Sequence, residues 1–479
     1  MSVDGPGMTD SKFKVIQQYV VQPQKRHLEE PEEIKLCNFD RKSPTLTERI
    51  AVVFAFPGHL SADALRSSLA TLVERYPVCC GRLRFSGGEG FIVCNSMGLP
   101  VTESCQDTQV DTKGDAFAPM AGLYTQDIDP RGLLHGNEAL MKVQITYCDE
   151  AQTLLGVSMA HVLADVGGLV NFLKDWMSVH TEQALGAPEP LFARHHVYPV
   201  KQLSRQQSSI SQQVITVLQF CNHLLTYLAM LIPFLLQGGF STFAPTILAI
   251  PLATLQGLKD RLNNTTMAGP HDMSSNDLLC SILWHVTCMV RHRSDCDTGT
   301  FYLPLDLRQM HAPDAYFGNA QCVQTVTDPQ RQRISKRTQS EEDIETSVAL
   351  TARVIKQTII DARESKKSAQ QILHQLEQLS LPLMEGLDSS LCKAITYDAS
   401  LSSWQELYRL VSYLDFGTGL ATGCATLQLD KEILPWAGWW GQNPLTGEAF
   451  LHVNVPPGKQ ASFKHCHLWQ TLLPGAHFV

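Results

Sequence analysis

Apolar positions along this chain follow two periods, and the switches between them outline its elements. Ile50–Phe56 (IAVVFAF) is an unbroken β-branched and aromatic run, which predicts a buried strand. After the turn Pro57-Gly58-His59, Leu65, Leu69, Leu72 and Val73 recur on one helical face, with Ser61 as N-cap and Pro77 as stop. Gly81–Phe85 and Gly90–Asn95 predict a hairpin across Ser86-Gly87-Gly88, and Phe13–Val21, Leu140–Tyr147 and Thr153–Met159 predict further strands. Leu154–Trp176 (LLGVSMAHVLADVGGLVNFLKDW) runs from strand to His161, turns through Asp165 and Gly167–Gly168, and continues as a helix marked by Phe172 and Trp176.

The second half repeats the alternation. TILAIPLATLQGLKDRL (246–262) predicts a strand and a helix, and SSNDLLCSILWHVTCMVRHR (274–293) a strong helix capped by Ser275, with Leu278, Ile282 and Val286 buried. FYLPLDLRQM (301–310) predicts a strand running out at Asp306 and Arg308. Residues 340–380 predict a long amphipathic helix with Ile344, Val348, Val354 and Ile359 inward. WAGWWG (436–441) reads as a loop and FLHVNVPPG (450–458) as a last edge strand. Pro188, Pro190, Pro199 and the Ser/Gln-rich LSRQQSSISQQ mark a linker over 180–212. From Gln206 to Leu258 no Asp, Glu, Lys or Arg occurs, and 214–236 is long enough to be weighed as a membrane span. Its polar stripe (Thr216, Gln219, Asn222, His223, Thr226) and Pro233 favour a helix lying on a bilayer, with a cap over an apolar pocket and a true span as alternatives. The fold class is α/β or α+β, divided into 1–200, an apolar insert 201–245, and 246–479.

Composition narrows the partners. The chain of 479 residues, 44% hydrophobic and 18% charged, is long enough for two cores. A formal net charge of -9 gives no basic surface for nucleic acid. The 14 cysteines include no CxxC pair, and His465-Cys466-His467 places its donors side by side rather than at tetrahedral spacing, so no metal is expected. The opening stretch MSVDGPGMTDSKFK has no apolar core of a secretory signal, and a reducing cytosol is the expected compartment.

An imidazole at the end of a strand, before a glycine turn, sits where catalytic groups are commonly held, and it titrates in the range that lets it take and return a proton. A lone histidine beside an apolar strand is more often structural, so the rest of the chain decides.

His161-Val-Leu-Ala-Asp165 resembles the HxxxD motif of the BAHD acyltransferases, and Asp415-Phe416-Gly417-Thr418-Gly419 resembles their DFGWG signature. SSNDLLCSILW (274–284), LPLDLRQM (303–310) with AYFGNA (315–320), and Ser402-Ser403-Trp404 resemble further family segments in the same order. The histidine motif is shared with chloramphenicol acetyltransferases and peptide-synthetase condensation domains, usually as a doubled histidine; here Ala160 precedes His161. The resemblance implies two chloramphenicol-acetyltransferase-like domains, each a mixed sheet flanked by helices, with a tunnel between them. It implies a monomer that takes acyl-CoA as co-substrate, needs no other cofactor, and acylates a small-molecule alcohol. His161 would be the general base. Asp165 would pair with Arg308 rather than join a relay. Ser402 and Trp404 would be oxyanion or substrate residues, and Asp415, Phe416, Gly417 and Gly419 would shape a loop. Val166 stands where the family has glycine, and Thr418 where it has tryptophan. A non-catalytic binder of the same fold and a carrier-protein-dependent condensation enzyme are the rival readings.

Overall fold

The run Ile50–Phe56 has no polar side chain to turn outward, so it must be covered on both faces. In a computed structural model of the protein, strand Arg49–Pro57 lies inside a six-stranded sheet with all but its two end residues buried. The structure describes residues 14–23, 31–37, 39–41, 45–46, 48–112, 117–149, 151–186, 188–197, 244–264, 272–291, 299–310, 312–327, 340–364, 398–426 and 435–479. The sheet order is Lys14–Val21, Leu99–Gln106, Met141–Cys148, Gln152–Ala160, Arg49–Pro57, Gly423–Thr426. Gln152–Ala160 runs antiparallel to both neighbours, with Arg49 opposite Ala160. Helices Ala62–Arg75 and Val166–His180 share its core: Leu65, Leu69, Leu72 and Val73 from one meet Phe172 and Trp176 from the other. Trp176 Nε1 donates to Ser68 Oγ at 3.0 Å, and Arg75 pairs with Asp175 at 3.1 Å. Ser61 caps the first helix by accepting from Ala64 N–H, and the Arg82–Ser86/Glu89–Val93 hairpin turns at Gly87 and Gly88, both at positive φ.

A second core forms on a seven-stranded sheet ordered Gln321–Thr327, Thr300–Asp306, Ala399–Ser403, Ala437–Asn443, Glu448–Val455, Ala244–Pro251, His477–Phe478. Helices Ser275–Arg291 and Glu341–Glu364 pack on it, joined by Ser281 Oγ donating to the Val348 carbonyl at 2.8 Å. The two sheets interlock. Gly423–Thr426 leaves the second half of the chain and pairs with Arg49–Pro57, Gly423 opposite Ala55.

Four expectations change. Ser274, not Ser275, caps the long helix: its Oγ accepts from Asp277 N–H, while the Asp277 carboxylate accepts from Ser274 N–H and O–H at 2.7 Å each. WAGWWG is not a loop but the start of strand Ala437–Asn443. Its glycines are required by close approach, since a Cβ on Gly438 would run into the His452 carbonyl and one on Gly441 into the Tyr408 ring. Glu448–Val455 pairs on both sides and is interior; His477–Phe478 is the terminal strand. Within the expected linker, Arg194 and Val197 are buried, Arg194 to 4% exposure. The apolar segment 214–236 and the continuation of the long helix beyond Glu364 lie outside the described residues, among which no helix is long and apolar enough to cross a membrane.

Gly156, in the middle of the strand leading to His161, has no room for a side chain: a Cβ would overlap the Tyr124 carbonyl oxygen. Gly156→Ala is expected to lose on the order of 3 kcal/mol of stability through forced backbone displacement, read as a lower denaturation midpoint.

Candidate active site

The histidine is set by the last rung of a ladder. His161 N–H donates to the Glu48 carbonyl at 2.9 Å, and Leu163 N–H then closes a turn on the Ala160 carbonyl at 2.9 Å. Asp165 follows as N-cap of helix Val166–His180, accepting from Gly168 N–H at 2.9 Å. His161 is half-buried, whereas Asp165 is only 2% exposed.

Arg308 grips Asp165 with two parallel hydrogen bonds, Nη1 to Oδ2 at 3.1 Å and Nη2 to Oδ1 at 2.9 Å. Asp165 also accepts from Ala320 N–H at 2.7 Å. Burial alone would push this carboxyl up; the Arg308 charge and the Gly168 and Ala320 amides outweigh it and hold the group below the usual carboxylate range. Gly167 and Gly168 open the helix without side chains because a Cβ on the first would lie 2.7 Å from Arg308 Nη1 and one on the second 2.7 Å from Ala164 Cβ. Val166, where the family pattern has glycine, is accommodated as the first helical residue.

The ring of His161 meets Asn319. Nδ1 lies 3.0 Å from Asn319 Oδ1, and Asn319 Nδ2 donates to the His161 carbonyl at 2.9 Å and to Asp40 Oδ1 at 2.7 Å. Asp40, fully buried, takes Arg194 Nε on its other oxygen at 2.8 Å. Arg308 and Asn319 come from the stretch between strands Thr300–Asp306 and Gln321–Thr327 of the second sheet, so the histidine of the first sheet is braced at the seam between the halves.

Glu48 is the cross-strand partner of His161. The backbone bond from His161 N–H to the Glu48 carbonyl extends the register that sets Arg49 opposite Ala160. Desolvation pushes Glu48 up to about 7.

Ser402 is the last but one residue of strand Ala399–Ser403, paired with Trp439. Trp404 follows, and its ring stacks on Trp439 (4.8 Å, 20°), which stacks in turn on His452 (5.0 Å, 11°). Burial holds the His452 imidazole down at about 3, so it is neutral. Among the described residues no hydrogen bond joins Ser402 or Trp404 to His161. Asp415 accepts from Gly417 N–H at 2.7 Å and Gly419 N–H at 3.1 Å, and both glycines need positive φ. Phe416 lies edge-on to Phe56 and Trp176, and its carbonyl meets His180 Nε2 at 3.0 Å. This turn delivers Gly423–Thr426 to the first sheet.

Asp40, Glu48, Arg194 and the contact of Asn319 with His161 were not found from sequence. Asp40 and Arg194 stand alone in polar, Pro-spaced stretches, and only the strand register brings Glu48 opposite His161.

Two outcomes follow from these environments. Asp165→Asn, which leaves the buried Arg308 guanidinium only the more exposed Asp306 as counter-charge, is expected to cost about 3–5 kcal/mol in denaturant unfolding. For Glu48, a folded-state pKa above the unfolded one favours folding at low pH, and that contribution is lost as pH rises. Glu48→Gln should therefore match the parent in Tm near pH ~4 and gain on it steadily up to pH ~8.

The histidine is thus held at the seam of two sheets, and its neighbouring carboxylate is spent on Arg308. A model of the Transferase family matches residues 11–422, and the chain belongs to that family, the BAHD acyltransferases. It is 27% identical over 297 residues to rosmarinate synthase of Plectranthus scutellarioides, covering 60% of this chain and 64% of that one. It is 25% identical over 291 residues to shikimate O-hydroxycinnamoyltransferase of Nicotiana tabacum, covering 55% and 59%. The matched region thus spans less than two thirds of these relatives. The fold matches the crystal structures of vinorine synthase (TM-score 0.66, 14% identity, 96% and 98% of the chains) and of F. sporotrichioides TRI101 with coenzyme A and T-2 (TM-score 0.67, 15%, 93% and 99%).

Proposed function

We propose that this protein moves an acyl group from a coenzyme A thioester to a hydroxyl of a small, lipophilic metabolite, with His161 as general base. The observation that carries the reading is the placement of His161. Its ring is fixed through Nδ1 at the seam of the halves, and Asp165 is fully engaged by Arg308. A thioester is already activated, so the chain need supply only a base, an oxyanion donor and a passage for two substrates. His161 takes the hydroxyl proton as oxygen attacks the thioester carbon. The tetrahedral intermediate collapses, the C–S bond breaks, and the imidazolium returns the proton to the departing thiolate. Ser402 and Trp404 are our candidates for the oxyanion or acceptor wall, supported by the ordered Trp404–Trp439–His452 stack at the end of strand Ala399–Ser403. The passage would run between a domain of residues 1–200 and one of 246–479. The charge-free segment 214–236 supports a lipophilic substrate and contact with a membrane surface.

The test is release of free thiol from acyl-CoA, with transfer to a panel of alcohols. His161→Ala should lose at least about 100-fold in kcat while keeping the parent's melting curve, in line with the usual worth of a general base. Equal rates for parent and variant would remove His161 from the reaction.

A further inference from the structure

The hydrogen bonds around Asn319 fix more than the position of the ring. Both hydrogens of its amide nitrogen are committed to groups that only accept, the Asp40 carboxylate at 2.7 Å and the His161 carbonyl at 2.9 Å. The amide is therefore oriented with Oδ1 towards His161 Nδ1, 3.0 Å away. A carbonyl oxygen cannot donate, so Nδ1 carries a proton, and in the neutral ring Nε2 is then the nitrogen with the lone pair. Turning the amide over would set its oxygen against a carboxylate and a carbonyl at once.

What prevents that turn is the charge on Asp40, and the charge is anchored. Arg194 donates Nε to Asp40 Oδ2 at 2.8 Å, and Cys37 N–H reaches the same oxygen at 3.3 Å. The other four guanidinium hydrogens go to carbonyls: Nη1 to Phe192 and Phe317 at 3.2 and 3.1 Å, Nη2 to Val162 and Leu163 at 3.1 and 3.0 Å. All five donors are used, two of them on the residues that follow His161. Gly318, next to Asn319, must be glycine because a Cβ would collide with this guanidinium.

We propose that Asp40 is a positioning residue for His161, selecting the tautomer with a bare Nε2 through the side chain of Asn319. The inference rests on the reading of His161 as the base, and it gives the buried Asp40–Arg194 pair a role in the reaction distinct from that of Asp165–Arg308. One pair holds the turn; the other chooses which nitrogen is basic.

The test uses the full chain with nitrogen-15 histidine, the His161 signals being assigned by their loss in His161→Gln. The ring nitrogens report the tautomer without substrate, and kcat and KM are measured alongside. The parent should show Nδ1–H. Asn319→Ala, which leaves the Asp40–Arg194 pair intact, should shift to mainly Nε2–H, and Asp40→Asn to a mixture. Each should lower kcat by about 10- to 100-fold, a part of the usual worth of a base, with KM for acyl-CoA within about twofold of the parent. Because Asp40 acts through Asn319, adding Asp40→Asn to Asn319→Ala should cost nothing further in kcat. If Asp40→Asn alone does not fold, Asp40→Asn with Arg194→Met removes both buried charges together and should show the same tautomer mixture. Persistence of Nδ1–H in the folded Asp40 variants, or multiplication of the two losses in kcat, would overturn the proposal. A tautomer that follows Asp40 while kcat does not would uphold the positioning and count against His161 as the base.

Discussion

Two buried guanidinium groups, Arg308 and Arg194, are the constraint to which the centre of this molecule conforms. A charge taken out of water is tolerated only where its partners are complete, and both arginines meet that condition. Arg308 is spread over Asp165, Asp306 and the carbonyls of Tyr316 and Gly318. The buried ring of Tyr316 lies between the two, 5.9 Å from Arg308 and 6.0 Å from Arg194. Their carboxylates, Asp165 and Asp40, come from the first half of the chain, while Arg308, Tyr316 and Asn319 belong to the second sheet's connection. Of the two ion pairs, Asp165–Arg308 spans the halves, which therefore cannot slide past one another without breaking it.

That arrangement separates tasks that a glance at the motif would merge. Asp165 is four residues from the histidine in sequence yet spends both oxygens on Arg308 and two backbone amides. The side chain that meets the imidazole is Asn319, neutral and carried on another element. Rigidity at the imidazole thus comes from hydrogen bonds already made within the chain, which is the condition under which a positioned group is most effective.

Much of this was legible in the residues, and the failures have a common physical origin. Periodicity identifies Leu65, Leu69, Leu72 and Val73 as a buried face, and the family resemblance supplies the Asp165–Arg308 pair, because each signal is local or belongs to a recognised motif. Arg194 was assigned to a linker because prolines surround it; nothing nearby in sequence announces a partner 154 positions away. WAGWWG looked like a loop because glycine usually breaks strands, whereas here it admits a neighbouring carbonyl and a tyrosine ring. The cap of the long helix moved by one residue because Ser274 and Ser275 are equally good by type, and only the reciprocal bond from Asp277 distinguishes them.

The short strand Gly423–Thr426 carries a consequence for how the molecule is made. It covers the open side of Arg49–Pro57, a strand near the start of the chain that is apolar from Ile50 onward. A ribosome emits that strand hundreds of residues before its cover, so the nascent first sheet waits with one edge unpaired. Closure of the sheet depends on contacts of great sequence separation, which are slow to form, and chaperone dependence during synthesis is the natural cost.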